Sequence, residues 1–585
     1  MSYTINPNAK NKWARNAENT MDLSLETDAS SVYLDNGRTL EQEIGEGSMV
    51  SNIATVDSSM SKVNDGTLDG AYESCVFKGK SLVNISNKAQ EIEILGRVNT
   101  HTQIEIANKD LLKRNTKYIL ILGYDVTFDT NSSNKTLYLD DGHSYTYIKG
   151  LTKRNIATDS GKGVFVSIIT TKDEEKTSNS NIHITLFKGS DSNRVIISNL
   201  MLIEYQEGME NWDIPYFTGL CDVKMPILRN VGKNLLSIQD YSPKGTLTNV
   251  EVTRNTLKAT VEGVWHGFEY ILQLKPNTEY TFSFERDSDT VKGYIRHPEN
   301  KGWTGGYGGY SNYTFTTRDT GVIRFTIESS LANNTIVVRN PMIVEGNLRP
   351  TSYENYKTNI LRTSEEIVLR EVGGVCDTYN VLTGEYVRRI GEIVLDGSDD
   401  EKWALGSWWT PQVETMGFEM PLSTKGDSSL ADKLIHGKFN TITFTDIEYL
   451  GVSYEWQCLG IRIKRSKLST EDITGLKMYL SQNPITVQYE LAEPITTIVE
   501  PLTIPFAYQN GHVILESGYE GQSLLPTLEY STVVNKTGLI ENVAKTIQAQ
   551  EKQLTMLEKM LIQNIINLDY NNTLLTLKNE MEEML

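Results

Sequence analysis

No stretch of eighteen apolar residues occurs anywhere in this 585-residue chain, so no segment is long enough to cross a bilayer as a helix. Residues Met1 to Asn19 are polar and lack the apolar centre of a secretory signal, so synthesis in the cytoplasm is expected. Positive charge is in the minority: 56 Lys and Arg stand against 75 Asp and Glu, a formal charge of −19. That balance argues against nucleic acid and against an anionic membrane surface, because both polyanions are held by basic faces, and the lack of a long apolar run argues against membrane insertion. Cysteine is scarce, and Cys75, Cys221, Cys376 and Cys458 lie far apart with no CxxC, so neither a disulfide framework nor a zinc site is indicated. Four buried, reduced thiols are expected instead. The seven histidines are scattered singly, with no HExxH, and the chain has no GxSxG elbow and no Walker loop. No metal, no cofactor and no enzymatic activity is therefore predicted. A glycosidase carboxylate pair leaves no local signature, since its two acids meet only in the fold.

Present in strength is a heptad stripe at the C-terminus. Ile540, Ile547, Leu554, Leu561, Leu568 and Leu575 recur every seven residues without a miss. An isolated helix cannot bury such a one-sided seam, so the seam must face copies of itself or another helix. The companion positions include Asn564 and Asn571, and polar layers of that kind cost stability while fixing register and strand number. From Leu539 to Lys578 the helix would run roughly 60 Å at 1.5 Å per residue.

Length alone predicts roughly three to five domains. Residues 1–75 are rich in Asn, Ser, Asp and Glu and read as an attachment segment, with Val32-Tyr-Leu-Asp-Asn-Gly37 as a strand and turn and Thr39 to Gln42 as a capping box. Residues 76–222 and 223–362 read as β-sandwiches of short strands separated by polar turns. The two blocks match in order at two places. Arg114-Asn-Thr-Lys-Tyr118 resembles Pro276-Asn-Thr-Glu-Tyr280, and Asn199-Leu-Met-Leu-Ile-Glu204 resembles Asn340-Pro-Met-Ile-Val-Glu345. Matched motifs in the same order predict a duplicated domain. Residues 363–530 read as a third β-rich domain, with a helix over 470–482, and residues 531–585 as the coiled coil.

Several of these stretches carry a family resemblance. Val32-Tyr-Leu-Asp-Asn-Gly-Arg-Thr-Leu-Glu41 resembles a segment common near the start of tail and baseplate proteins in phages of Gram-positive bacteria. Lys233-Asn-Leu-Leu236, Pro276-Asn-Thr-Glu-Tyr-Thr-Phe282 and Asn340-Pro-Met-Ile-Val-Glu-Gly346 resemble the jelly-roll, carbohydrate-binding-module-like domains of such proteins. Cys376-Asp-Thr-Tyr-Asn380, Gly384 to Gly391 and Tyr489-Glu-Leu-Ala-Glu-Pro494 resemble the block that often precedes their coiled coil. The resemblance implies a tail-fibre or receptor-binding protein of a phage or phage-tail-like particle. Its fold would be mainly β, with tandem jelly-roll sandwiches and a C-terminal trimeric coiled coil, and it would reside in the virion tail or baseplate. Its implied partners are itself as a homotrimer, other tail or baseplate proteins through the N-terminal segment, and host cell-surface carbohydrate. A purely architectural baseplate part is the alternative, with a polysaccharide depolymerase behind it.

Sugar binding needs an aromatic face for the C–H side of a pyranose and polar groups for its hydroxyls. The run Trp303-Thr-Gly-Gly-Tyr307-Gly-Gly-Tyr310-Ser-Asn-Tyr313 supplies aromatics on a chain that its glycines are expected to keep out of regular structure. Trp265, Tyr294 and Arg296 are expected on strands of the same domain. Presentation of these rings to sugar and packing over one end of the sandwich or against another subunit both fit the pattern. Asp140-Asp-Gly142 and Asp396-Gly-Ser-Asp-Asp400 read as turns rather than calcium loops.

Overall fold

The computed structural model describes the short strands Thr4–Ile5, Ala14–Arg15, Met21–Asp22 and Val32–Tyr33, then residues 51–534 apart from 58, 64–66, 87, 107–110, 133–134, 141–153, 174–181, 210–211, 213, 298–306, 407–413, 423–433, 437–447, 454–456, 501–504 and 520–522, then 554–555, 558–559 and 563. Among these residues the protein is mainly β. Alternation makes the strands: in Val322–Ser329, Ile323, Phe325 and Ile327 are fully buried on one face, and Arg324, Thr326 and Glu328 occupy the other.

Two sandwiches share a common topology of eight strands. In the first, β1 (Glu91–Leu95), β2 (Thr102–Glu105), β3 (Lys117–Thr127), β4 (Leu137–Asp140), β5 (Arg154–Ala157), β6 (Gly161–Thr170), β7 (His183–Leu186) and β8 (Arg194–Glu204) form facing sheets ordered β6-β3-β8-β1 and β2-β7-β4-β5. In the second, β9 (Thr256–Val261), β10 (Gly267–Gln273), β11 (Glu279–Arg286), β12 (Val291–Arg296), β13 (Tyr307–Tyr310), β14 (Asn312–Thr316), β15 (Val322–Ser329) and β16 (Asn334–Glu345) form sheets ordered β14-β11-β16-β9 and β10-β15-β12-β13. Strand for strand, these eight repeat the first sandwich, and Ser242–Lys244 beside β10 and Leu247–Val252 beside β9 extend each sheet of the second to five strands.

Details of the turns repeat as well. Asn115 and Asn277 both hold left-handed backbone, at φ 46° and 50°, as do Asn199 and Asn340 at 52° and 54°. The Tyr118 hydroxyl accepts from Lys113 N at 2.7 Å, and the Tyr280 hydroxyl accepts from Lys275 N at 3.1 Å. Thr171 Oγ1 accepts from Thr116 N, and Thr317 Oγ1 accepts from Thr278 N, both at 2.9 Å. A buried asparagine clamps each copy. The Asn84 carboxamide accepts from Ser86 N and Leu202 N and donates to the Leu200 and Phe217 carbonyls. Asn234 accepts from Leu236 N and Ile343 N and donates to the Pro341 and Glu354 carbonyls. The duplication read from two short motifs thus extends through strand order and polar clamps.

The linear division at 75, 222, 362 and 530 does not match how the strands pair. Ser81–Asn84 leads into the first sandwich and Gly219–Lys224 leads out, and the two pair antiparallel. Pro226–Val231 and Thr358–Arg362 close the base of the second sandwich in the same way. A third excursion begins after Glu385–Leu395 and returns on Ile485–Ile498, with Leu395 opposite Ile485. It holds a four-stranded sheet and α1 (Ile473–Gln482), whose N-cap Asp472 accepts from Gly475 N at 2.9 Å. The segments between excursions build a central body. Thr67–Lys78 lies between Thr527–Val534 and Thr378–Asn380 in a seven-stranded sheet that runs from Leu434–Ile435 to Ser51–Val56. The strand Thr67–Lys78 therefore crosses the boundary expected at residue 75 and buries Cys75 and Phe77 in the body core. Pairing partners more than 450 residues apart, such as Ser74 and Ser531, leave no local trace in the sequence.

Of the N-terminal segment, Thr4–Ile5 pairs with Val32–Tyr33, while the capping box at 39–42 lies outside the described residues. Of the heptad seam, Leu554 is described, helical and 53% exposed. Ile540, Ile547, Leu561, Asn564, Leu568, Asn571 and Leu575 lie outside the described residues. All four cysteines are free, two of them half-buried.

The second sandwich is fastened to the body by an ionic group in which His512 is buried and Glu345 and Lys275 are half-buried. Glu345, at the end of β16, lies 3.2 Å from Lys275 and accepts from His512 Nε2 at 2.9 Å. Burial opposes ionisation of Glu345, but the His512 hydrogen bond and the Lys275 ammonium outweigh it and hold the carboxyl at about 2. Burial pushes His512 down, so it serves as a neutral donor. A carboxyl depressed in the folded state stabilises above its ordinary value of 4.5 and loses that contribution as pH falls toward about 2. We expect this junction to weaken across that acid window by at most about 3 kcal/mol. Amide exchange in 512–517 during an acid titration checks it, and Glu345→Gln should flatten the dependence.

Candidate functional site

The sheet β10-β15-β12-β13 has an apolar inner face and a polar outer one. Phe268, Tyr270, Val291, Ile295, Ile323, Phe325 and Ile327 fill the core. On the outer face stand Glu269, Tyr294, Arg296, Arg324, Thr326 and Glu328, brought level by register: Tyr294 and Glu269 both lie opposite Thr326, and Arg296 lies opposite Arg324.

Glu328 is the centre of this face and is fully buried. It accepts from Arg296 Nη1 at 2.7 Å, pairs with Lys244 Nζ at 2.6 Å and takes a hydrogen bond from Thr326 Oγ1. Burial raises its pKa, but Arg296, Lys244 and Thr326 together bring it below the usual carboxylate value, so Glu328 is ionised. Arg296 is thereby held rigidly, its guanidinium 5.3 Å from the centre of the Tyr294 ring. Arg324 and Glu269 form a neighbouring pair at 3.3 Å. Burial pushes the Tyr294 phenol up, and nearby Glu328 adds to it, so it is neutral and able to donate.

Trp265 meets Tyr294 edge-on, with ring centres 6.0 Å apart and planes at 77°, and is 44% exposed. Its backbone is left-handed at φ 63°, a conformation a bulky residue adopts at a cost of about 1–3 kcal/mol. The surroundings enforce it. Trp265 N donates to Ser329 O at 2.7 Å and Ser329 N returns a bond to His266 O at 3.0 Å. His266 Nδ1 accepts from Thr246 N at 3.0 Å and Gly263 N at 3.2 Å, and a Cβ on Gly245 or Gly263 would stand 2.4 Å from the His266 ring. Trp265 is thus an exposed ring on a strained, fixed turn. Because both variants lose the ring, Trp265→Gly should exceed Trp265→Ala in stability by about 1 kcal/mol, read from denaturant melts. Equal stabilities would show that the turn carries no strain.

The other expected site residues fall elsewhere. Tyr310, 57% exposed, stacks parallel on Tyr313 at 5.8 Å, and Tyr313 leans on core Phe282. This pair marks the corner where β13 passes into β14. Gly309, at φ 94°, lies beside Tyr294: a Cβ there would be 3.8 Å from the Tyr294 hydroxyl. Tyr307 pairs with Ile295 in β13, and Trp303 lies outside the described residues. The glycine-rich run is therefore not an irregular loop over residues 307–313. Pairing with β12 and a register shift there turn its second half into strand.

Lys244, Glu269, Arg324, Thr326 and Glu328 carry no motif that marks them in the sequence. The alternation Arg324, Thr326, Glu328 against Ile323, Phe325, Ile327 was the available signal. In the first sandwich Tyr138 occupies the register of Tyr294, opposite Thr185, but is buried, and Asp140 stands where the second copy has Arg296. His143, Tyr145 and Tyr147 lie outside the described residues. A cleft of about 650 Å³ also separates the second sandwich from the body, lined by Tyr356, Tyr519, Arg229 and Glu516. There Arg229 is committed to Glu516 by two hydrogen bonds of 3.0 and 2.9 Å. Asp396 Oδ1 accepts from Ser398 N with Gly397 at φ 78°, which makes that acidic stretch a turn.

No protein-family model and no curated protein matches the sequence. One similar solved structure is the N-terminal CBM22-1-CBM22-2 tandem domain from Paenibacillus barcinonensis Xyn10C, at 9% identity and a TM-score of 0.15, covering 51% of this chain and 99% of that one. A score that low places no residue of this chain.

Proposed function

We propose that the chain is a non-enzymatic, multivalent binder of bacterial cell-surface carbohydrate, acting as a tail-fibre or baseplate component of a phage or phage-tail-like particle. The observation that carries the binding half is Trp265, a half-exposed indole on a strained turn beside Tyr294 and the fixed Arg296. A pyranose would lay its C–H face on the indole, and the Tyr294 hydroxyl and Arg296 would meet its hydroxyl groups. The tail assignment is supported by the short motifs quoted above and by the heptad seam, which would hold three copies together. Weak sugar contacts in each copy then gain through effective concentration. The first test is binding of the purified protein to intact Gram-positive cells and to isolated wall polysaccharide, with reducing-sugar release assayed in the same tubes. Saturable binding without release is expected. Release of sugar would point to a depolymerase, and no binding to any host would leave an architectural part. The packing of Tyr313 on Phe282 favours a structural role for the Tyr310–Tyr313 pair, so binding is assigned to Trp265 rather than to that corner.

A further inference from the structure

The two sandwiches differ where their folds do not require it. In the first, the outer face of the sheet β6-β3-β8 runs from Met201 and Ile203 on β8 through Ile119 and Ile121 on β3 to Ile168, Val166 and Val164 on β6, all set by register. The inner part of this face is covered: Ile119, Met201 and Ile203 are buried in the body core, and Ile121 packs against it. The outer part is not. Val164 is 72% exposed, Val166 53% and Ile168 39%, on a strand at the sheet edge. Aligning Tyr118 with Tyr280, the second sandwich carries Thr281 and Ser283 in place of Ile119 and Ile121, and Thr314 and Asn312 in place of Ile168 and Val166. The same fold is thus built with a polar edge strand in one copy and an apolar one in the other. Water alone would not favour the apolar version.

We infer that the row Val164, Val166, Ile168 is a contact surface for a second copy of this chain. It continues the interface already buried between the first sandwich and the body. Its size also selects the occupant. Three exposed aliphatic side chains offer roughly a few hundred Å², well short of the roughly 800 Å² per partner that an independent complex needs. Such a patch is sufficient only between chains already held together, where the second contact is intramolecular in effect. The heptad seam supplies that tether, so the inference rests on the self-association reading.

The test uses the full-length protein with a benzophenone amino acid at position 164, illuminated in lysate and, separately, after purification, with the mass of the uncrosslinked protein measured by light scattering. Chain-to-chain crosslinks are expected from position 164 and not from position 312, the equivalent edge strand of the second sandwich. Val166→Asn with Ile168→Thr, which installs the second sandwich's residues, should lower the crosslinked fraction by about tenfold while the mass stays that of the tethered oligomer. An oligomer that gives no crosslink at 164 overturns the surface and leaves the seam standing. A monomer at every concentration overturns both. Crosslinks only to a foreign protein in lysate would also overturn the inference, since they would assign the row to another partner.

Discussion

Asn234→Ala should destabilise the second sandwich by about 3–5 kcal/mol, enough to unfold it at moderate temperature. The Asn234 side chain is fully buried and makes four hydrogen bonds, all to backbone. Alanine would strand the Leu236 and Ile343 N–H groups and the Pro341 and Glu354 carbonyls of this clamp without a route to water. A hydrogen bond adds about 1 kcal/mol, but a buried group left unmatched costs about 1–3 kcal/mol, and several are stranded together here. Asn234→Asp is the sharper variant, because it keeps the acceptor and loses both donors. Asn84→Ala should act equally on the first sandwich, with its four matching bonds. Amide exchange resolved by domain checks both, since each variant should loosen its own sandwich and leave the other protected. A loss below about 1 kcal/mol would mean that the clamp is bypassed by relaxation.

Trp265→Ala should lower the apparent affinity of the assembled protein for wall polysaccharide by at least about a hundredfold. A stacked aromatic contributes about 2 kcal/mol at a single site, roughly a thirtyfold change. When several copies bind one surface the loss is incurred in each engaged copy, so the avid complex loses more than a single site would. Tyr294→Phe keeps the edge-on contact and removes only the hydroxyl, so it should cost far less, about fivefold. Binding isotherms on immobilised polysaccharide, run alongside circular dichroism, separate this from unfolding. Unchanged binding by Trp265→Ala would remove this face from the proposed function and return attention to residues outside it.

Glu328 shows why part of this face could not be read in one dimension. A glutamate near the end of a strand is ordinarily a solvated charge, and nothing in Glu328-Ser-Ser marks it otherwise. It becomes a fixed anion only because Lys244, from a strand more than eighty residues earlier, and Arg296 converge on it. Trp265 was legible as an aromatic near the site, but its left-handed turn was not. That geometry depends on Ser329 and on a His266 ring wedged between Gly245 and Gly263. Trp303 and Tyr307 stand out in the sequence because they sit among glycines. Composition can signal freedom of the chain, but it cannot tell that β12 will take part of that chain up as a strand.

The asparagine clamps mark the same boundary. Lys233-Asn-Leu-Leu236 is visible as a motif, whereas its counterpart Val83-Asn-Ile-Ser86 shares only the asparagine, and only the four bonds each makes show them to be equivalent. By itself, the sequence determined what is local and periodic. The period of two placed the core faces of the strands, the repeated Asn-Thr-x-Tyr and Asn-x-Met motifs revealed the duplication, and the scattered histidines and cysteines carried no site signature. Only the tertiary structure decided what depends on distant partners: that two sandwiches and a third excursion spring from one body closed by strands from both ends of the chain, and that an ionised Glu328 anchors the polar face. The reason is physical. Side-chain alternation is set by the pleat of each strand, but strand pairing and charge convergence depend on loop closure over hundreds of residues, whose outcome no local pattern records.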